Sequence, residues 1–122
     1  MKKKILVIED EPIIAEMICI LLEIEGYKVI SLNDEESIRD KRSYKQVDLV
    51  LLDLNLAGYS GTSICEYIKN DSDLKHIPVI LVSANYDIEK IKDECGADDL
   101  IKKPFELTHF IQKVQEYTGV AV

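Results

Sequence analysis

Three short apolar runs punctuate the chain, and each stops at a polar side chain. Ile5-Leu-Val-Ile8 ends at Glu9-Asp10-Glu11, Leu49-Val-Leu-Leu52 ends at Asp53, and Val79-Ile-Leu-Val82 ends at Ser83. Runs this short cannot make a helix of ordinary length. Apolar at every position, they fit strands buried on both faces inside a parallel sheet. Two weaker strands are predicted at 29–32 and 99–102. Between the runs the spacing becomes helical. Pro12 suits the first position of a helix, and Ile13, Met17, Leu21 and Ile24 recur on one stripe that Ile14, Ile18 and Leu22 widen. Gly26 supplies the stop. Residues 33–46 hold little apolar material beyond Ile38 and Tyr44, which predicts one short, exposed helix capped by Asn33 or Asp34. Residues 57–61 read as a loop, followed by a helix with Ile64, Cys65 and Ile68 on one face. Pro78 is tolerated only at the start of the next strand. Ile88, Ile91, Lys92 and Cys95 space a fourth helix that Gly96 ends. Leu107, Phe110, Ile111 and Val114 make an amphipathic last helix, with a tail from Gly119.

Five strands alternating with five helices describe an α/β domain with helices on both faces of a parallel sheet. The first, third and fourth strands are the most apolar and belong in the centre. Right-handed crossovers then give the order 2-1-3-4-5, a flavodoxin-like (βα)5 three-layer sandwich. Its switch point lies between strands one and three, where Glu9, Asp10 and Asp53 emerge. Residues 1–122 are expected to form this single domain.

Four parallel strands deliver Glu9 and Asp10, Asp53, Ser83 and Lys103 to one rim. Any one of these alone is a solvated residue at a strand end; together they are a constellation. Crowded carboxylates repel, and burial raises the cost. A hard divalent cation relieves that repulsion, and oxygen-only donors with room for water favour Mg2+ over a soft metal. A carboxylate can attack phosphorus to form an acyl phosphate. An ammonium and a hydroxyl can hold the phosphoryl oxygens while a metal neutralises their charge. Glu9, Asp10, Asp53, Ser83 and Lys103 therefore form a set for phosphoryl transfer onto Asp53.

Composition narrows the picture further. The 122 residues are 47% hydrophobic, enough for a core, and carry 23 acids against 15 bases for a net charge of −8. That sign argues against binding nucleic acid or an anionic membrane through bulk charge. No stretch has the apolar length of a membrane span. Lys2, Lys3 and Lys4 precede an apolar run too short for a signal peptide, so a cytoplasmic protein is expected. Cys19, Cys65 and Cys95 lack metal-ligand spacing and read as packing residues of a reduced protein, with a redox role as the alternative. Glu11 reads as an exposed first-turn acid, Phe105 and Phe110 as core, His76 and His109 as surface.

The chain resembles the receiver domain of bacterial two-component response regulators over nearly its full length. The motifs are Ile5-Leu-Val-Ile-Glu9-Asp10-Glu-Pro, Asp48-Leu-Val-Leu-Leu-Asp53, Ser83-Ala84, Gly96-Ala-Asp-Asp99 and Lys103-Pro104-Phe105, all in order. The resemblance implies that Asp53 takes a phosphoryl group from a phosphohistidine on a sensor histidine kinase or histidine phosphotransfer protein. It implies Mg2+ ligation by the Asp10 and Asp53 side chains, the Asn55 backbone carbonyl and, through water, Glu9. Ser83 and Lys103 would contact the phosphoryl oxygens, and a cis Lys103–Pro104 bond would aim the lysine inward. Such a domain promotes its own phosphorylation and is not a turnover enzyme. These residues hold no output domain, so signalling would pass to a downstream effector, and the last helix offers a face for a homodimer. Two positions depart from the family. Leu100 stands where an aromatic ring is usual, and Ala57 where proline is common. Asn55 and Asn85 occupy positions that tune dephosphorylation in the family.

Two other classes stay open at this point. A pseudo-receiver would keep the fold and serve as a constitutive interaction module; Leu100 favours it and the complete acid set opposes it. A phosphatase with an aspartyl nucleophile would need an Asp-x-Asp pair, and Asp53-x-Asn55 lacks the second acid. Nucleotide binding has no glycine-rich phosphate loop to rest on.

Overall fold

The computed structural model describes residues 2–56 and 58–119. The expectation for Ala57 and the end of the tail, 120–122, lies outside the described residues. Five parallel strands, β1 (Lys4–Ile8), β2 (Lys28–Leu32), β3 (Leu49–Asp53), β4 (Val79–Ser83) and β5 (Asp99–Lys102), form one sheet in the order β2-β1-β3-β4-β5. This is the predicted topology. Every residue of β3 and β4 is buried, as their unbroken apolar runs require. β2 is an edge strand with no fully buried residue.

Alternation along the strands divides the core into two layers. Leu6, Ile8, Val50, Leu52, Val79 and Leu81 face one side and pack with α2 (Glu35–Ile38), α3 (Gly61–Asn70) and α4 (Ile88–Cys95). Ile5, Val7, Leu49, Leu51, Ile80, Val82 and Ile101 face the other, against α1 (Pro12–Ile24) and α5 (Leu107–Thr118). Phe105 and Phe110 stack there with centroids 4.9 Å apart. Phe110 is a core residue as predicted, Phe105 is only partly buried against that core, and His76 and His109 are exposed.

Four local expectations need correction. In α1 only one side of the predicted stripe is buried, with Ile14 and Leu21 partly covered at its edge. Ala15, Ile18 and Leu22 face the core, whereas Ile13 and Ile24 are 83% and 74% exposed. In α5, likewise, Leu107 is exposed and Phe110, Val114 and Thr118 are buried. The 33–46 segment is not one helix. Asp34 caps the single turn of α2 by accepting from Ser37 N–H, and Asp40 starts a 3-10 turn over Lys41–Tyr44. Ile38 and Tyr44 are its buried anchors, and the Tyr44 hydroxyl donates to the Ile38 carbonyl at 2.6 Å. Gly61, placed in the preceding loop by its sequence, is the first residue of α3, whose cap is Ser60.

Candidate functional site

Parallel pairing sets the site. Register places Ile8 beside Leu52 and Asp53 beside Val82, so β1, β3 and β4 end level with one another. Glu9 and Asp10 follow β1 directly, Asp53 is the last residue of β3, and Ser83 is the last of β4. Lys103 follows β5 and precedes a cis peptide bond to Pro104.

The three most separated of these residues meet. The Lys103 ammonium donates to Glu9 Oε1 at 3.0 Å and to Asp53 Oδ2 at 3.3 Å. Glu9 and Asp53 are buried, and Lys103 is largely covered. The second oxygen of each acid is held by backbone. Glu9 Oε2 accepts from Glu11 N–H at 3.2 Å, and Asp53 Oδ1 accepts from Asn55 N–H at 2.9 Å. Ser83, 1% exposed, accepts at Oγ from Asn85 N–H at 3.1 Å, and Asn85 Oδ1 in turn accepts from Asp87 N–H. Asp10 is half-buried at the same rim, close enough for its charge to raise the Tyr59 hydroxyl, to which burial contributes more.

The electrostatics follow from this crowding. Burial pushes the Glu9 carboxyl above its ordinary range, and neighbouring Asp53 adds to the rise. The hydrogen bonds from Lys103 and Glu11 oppose it without reversing it. Burial would lower Lys103, but the Glu9 hydrogen bond and the Asp53 charge outweigh it, so this lysine holds its proton more firmly than usual. The pocket thus carries surplus negative charge around one fixed cation.

Among the described residues, no three His, Cys, Asp or Glu side chains converge into a cage of their own. Glu9 and Asp53 come together at Lys103, and Asp10 does not complete a third corner. Mg2+ does not need such a cage, because it keeps several waters and takes one or two carboxylates. The all-oxygen donors and the raised Glu9 carboxyl both fit such a hard cation.

Gly61 is the residue that sequence reasoning missed. A Cβ there would stand 2.6 Å from both the Asp53 carbonyl oxygen and the Leu54 Cα. Glycine is therefore what lets α3 start against the end of β3. The only sequence signal was a glycine next to a good cap, Ser60. Leu100 is half-buried on the α4 side of β5 and lines a surface groove with Lys102, Pro104, Phe105, Glu106 and His109. Glu11 contributes its backbone N–H to the site and starts α1 without a side-chain cap.

Residues 5–115 match the family model described as the response regulator receiver domain. The chain belongs to this family. It is 35% identical over 117 residues to the phosphate regulon transcriptional regulatory protein PhoB of Escherichia coli K12, covering 94% of this chain and 51% of PhoB. The chain thus spans about half the length of that relative. It is 32% identical to the polar-differentiation response regulator DivK of Brucella anthropi, over 99% of this chain and all of DivK (100%). Among solved structures, the receiver domain of the sensor histidine kinase PA1611 of Pseudomonas aeruginosa PAO1 superposes with a TM-score of 0.86. It is 25% identical, covers 98% of this chain and 100% of that one, and holds a magnesium ion in its active site cleft. The receiver domain of a signal transduction histidine kinase from Syntrophus aciditrophicus gives a TM-score of 0.84 at 32% identity, over 96% of this chain and 90% of that one. This receiver domain carries no described helix long and apolar enough to cross a membrane.

Proposed function

We propose that Asp53 is the phosphoacceptor of this receiver domain, which acts in the cytoplasm and takes its phosphoryl group from a phosphohistidine on a sensor histidine kinase or histidine phosphotransfer protein. One observation carries the reading: Lys103, from a distant strand, is bonded to Asp53 and Glu9 together at the carboxyl rim. A carboxylate oxygen of Asp53 attacks phosphorus, the P–N bond breaks, and the donor imidazole leaves with its electron pair and takes up a proton. Asn55 N–H and Lys103 hold the Asp53 carboxylate in place before attack. Lys103 Nζ has three protons, so it can turn one toward a phosphoryl oxygen while keeping Glu9. The Ser83 O–H is suited to donate to another, its Oγ being oriented by Asn85 N–H.

The side chains of Asp10 and Asp53, the Asn55 carbonyl and, through water, Glu9 would hold Mg2+. When bound, it supplies positive charge against the phosphoryl oxygens. Signalling then passes to a downstream effector, and a homodimer is one form the output can take. PhoB is a transcriptional regulator by name, whereas DivK matches this chain from end to end, so either a fused or a separate effector fits the family.

Acetyl phosphate and Mg2+ supply the test. Mass spectrometry should find one phosphoryl adduct, on Asp53, that is absent from Asp53→Asn and sharply reduced in Lys103→Met. An unmodified wild-type chain would overturn the reading in favour of a constitutive interaction module.

A further inference from the structure

The loop that joins β3 to α3 is fixed at both ends. Asp53 closes β3 and accepts from Asn55 N–H, and Gly61 sits so close to the Asp53 carbonyl that no Cβ would fit. In between, Gly58 is left-handed, with φ +81°, and Tyr59 reaches out of the loop. The Tyr59 hydroxyl donates to the Asn33 carbonyl at 2.7 Å, 26 residues away in sequence. Asn33 follows β2 directly, and β1 lies between β2 and β3. Ile8 is level with Leu32 on one side and with Leu52 on the other. A link from the β3 loop to Asn33 therefore spans the exit of β1, where Glu9 and Asp10 emerge. That span is two strand spacings, about 10 Å. Tyr59 packs against the core layer that carries α3. As a brace for the fold the bond is poorly placed, because it is exposed and joins two loops. At the rim it restrains the backbone that carries Asn55.

We propose that Tyr59 is a positioning residue for the cation: its bond to Asn33 holds the loop in the arrangement in which the Asn55 carbonyl joins Asp10 and Asp53 around Mg2+. The inference rests on the Mg2+ ligand set proposed for this rim. Mg2+ demands near-octahedral geometry and tolerates misplaced ligands poorly. Asn55 is exposed, so its carbonyl must be ordered before it can ligate, and that ordering weakens binding unless it is already in place. The Tyr59–Asn33 bond puts it in place before the metal arrives. A phenol also suits the position chemically. It donates a hydrogen bond without adding a positive charge, whereas a lysine over the same acids would compete with the metal for them. Burial first, then the charges of Asp10, Asp34 and Glu35, hold the hydroxyl above its ordinary value, so it remains a donor.

Titrating MgCl2 into isotope-labelled wild-type and Tyr59→Phe chains, with the Asp10, Asp53 and Asn55 amides followed by NMR, tests the inference. The variant keeps the ring and loses only the hydroxyl. One neutral hydrogen bond corresponds to about a fivefold change in Kd, so Tyr59→Phe should bind Mg2+ that much more weakly. Without metal its Asn55 amide should exchange with solvent faster, while the β1 and β3 amides exchange at the wild-type rate. Tyr67→Phe is the matched control. Tyr67, on α3, also donates its hydroxyl to a backbone carbonyl, that of Arg39 at 2.9 Å, and its loss should leave Mg2+ affinity at the wild-type value. Equal affinity in wild type and Tyr59→Phe would overturn the inference and leave the ligand set standing. Weaker binding with faster exchange throughout the sheet, or matched by Tyr67→Phe, would overturn it in favour of a general brace. A wild-type chain whose rim amides ignore Mg2+ would overturn the ligand set and the inference with it.

Discussion

Gly61 acts through the atom it lacks. Its would-be Cβ meets the Asp53 carbonyl oxygen and the Leu54 Cα, and both are backbone, so neither can swing aside as a flexible side chain would. Gly61→Ala must displace either the first turn of α3 or the last residue of β3. Overpacking of this kind costs about 1–3 kcal/mol, read as a lower midpoint in urea. Because the displaced strand end carries Asp53, labelling by acetyl phosphate should fall in the same variant. A substitution that lowered the midpoint while leaving labelling at the wild-type rate would show that α3 moves and β3 stays. Lys103 illustrates the opposite case, a residue that acts through what it reaches. Its position after a polar fifth strand was readable, and so was its proximity to Asp53 once the strand order was fixed. That it also binds Glu9, more closely than Asp53, was not readable from any spacing.

Between elements, the clearest polar link joins β5 to α5. Asp99 Oδ2 accepts from Lys113 Nζ and from the Tyr117 hydroxyl, each at 2.9 Å, and Oδ1 accepts from Leu100 N–H at 2.7 Å. Burial alone would raise the Asp99 carboxyl; the Lys113, Leu100 and Tyr117 hydrogen bonds outweigh it and hold it below its ordinary value. A folded-state value below the unfolded one means that this link stabilises fully above the ordinary carboxylate range. The stabilisation is lost as pH falls through the folded value. Asp99→Asn should therefore cost about 1 kcal/mol at neutral pH, and the gap from wild type should close in acid. Thermal melts of both chains across that range check it; a gap independent of pH would assign the cost to packing. The elements themselves were legible to different degrees. Strands β1, β3 and β4 announced themselves because burial on both faces forbids polar residues within them, and relative polarity then ordered the sheet. Helix α1 was legible in its bounds but not in its buried face, because apolar residues at 13, 14, 17, 18, 20, 21, 22 and 24 surround most of the helix and periodicity cannot choose a side. Ala15, small and easily passed over, shares the buried side with Ile18 and Leu22. The break in 33–46 was hidden because Asp34 and Asp40 each cap a single turn, too short to show a period.

At the scale of the whole molecule the question is how a chain of net charge −8 tolerates a buried acidic rim. Glu9, Asp10 and Asp53 bring three carboxylates, and the Lys103 ammonium is bonded to Glu9 and Asp53. Glu9 and Asp53 are buried and share that ammonium, and half-buried Asp10 adds its charge at the same rim. Burial first, and the neighbouring Asp53 after it, raise the Glu9 carboxyl, so a negative charge there is costly to hold. The strain is spread through the fold, because the acids sit on the ends of two adjacent central strands and cannot separate without disturbing the sheet. A divalent cation bound at the rim stabilises the folded state by mass action, so millimolar Mg2+ should raise the melting temperature. Removing one charge should act in the same direction: Asp53→Asn is expected to melt higher than wild type without metal and to gain less from added Mg2+. Each kcal/mol of relief corresponds to about 4 °C in a domain of this size, well within the precision of a thermal melt. Lys103 sets the competing effect, since Asp53→Asn also weakens one of its two ion pairs. The pair with Glu9 survives at the shorter distance of 3.0 Å, so relief of repulsion should win. If Asp53→Asn melted lower than wild type without metal, the ion pair would outweigh the repulsion, and the rim would be a neutralised cluster with no standing demand for a cation.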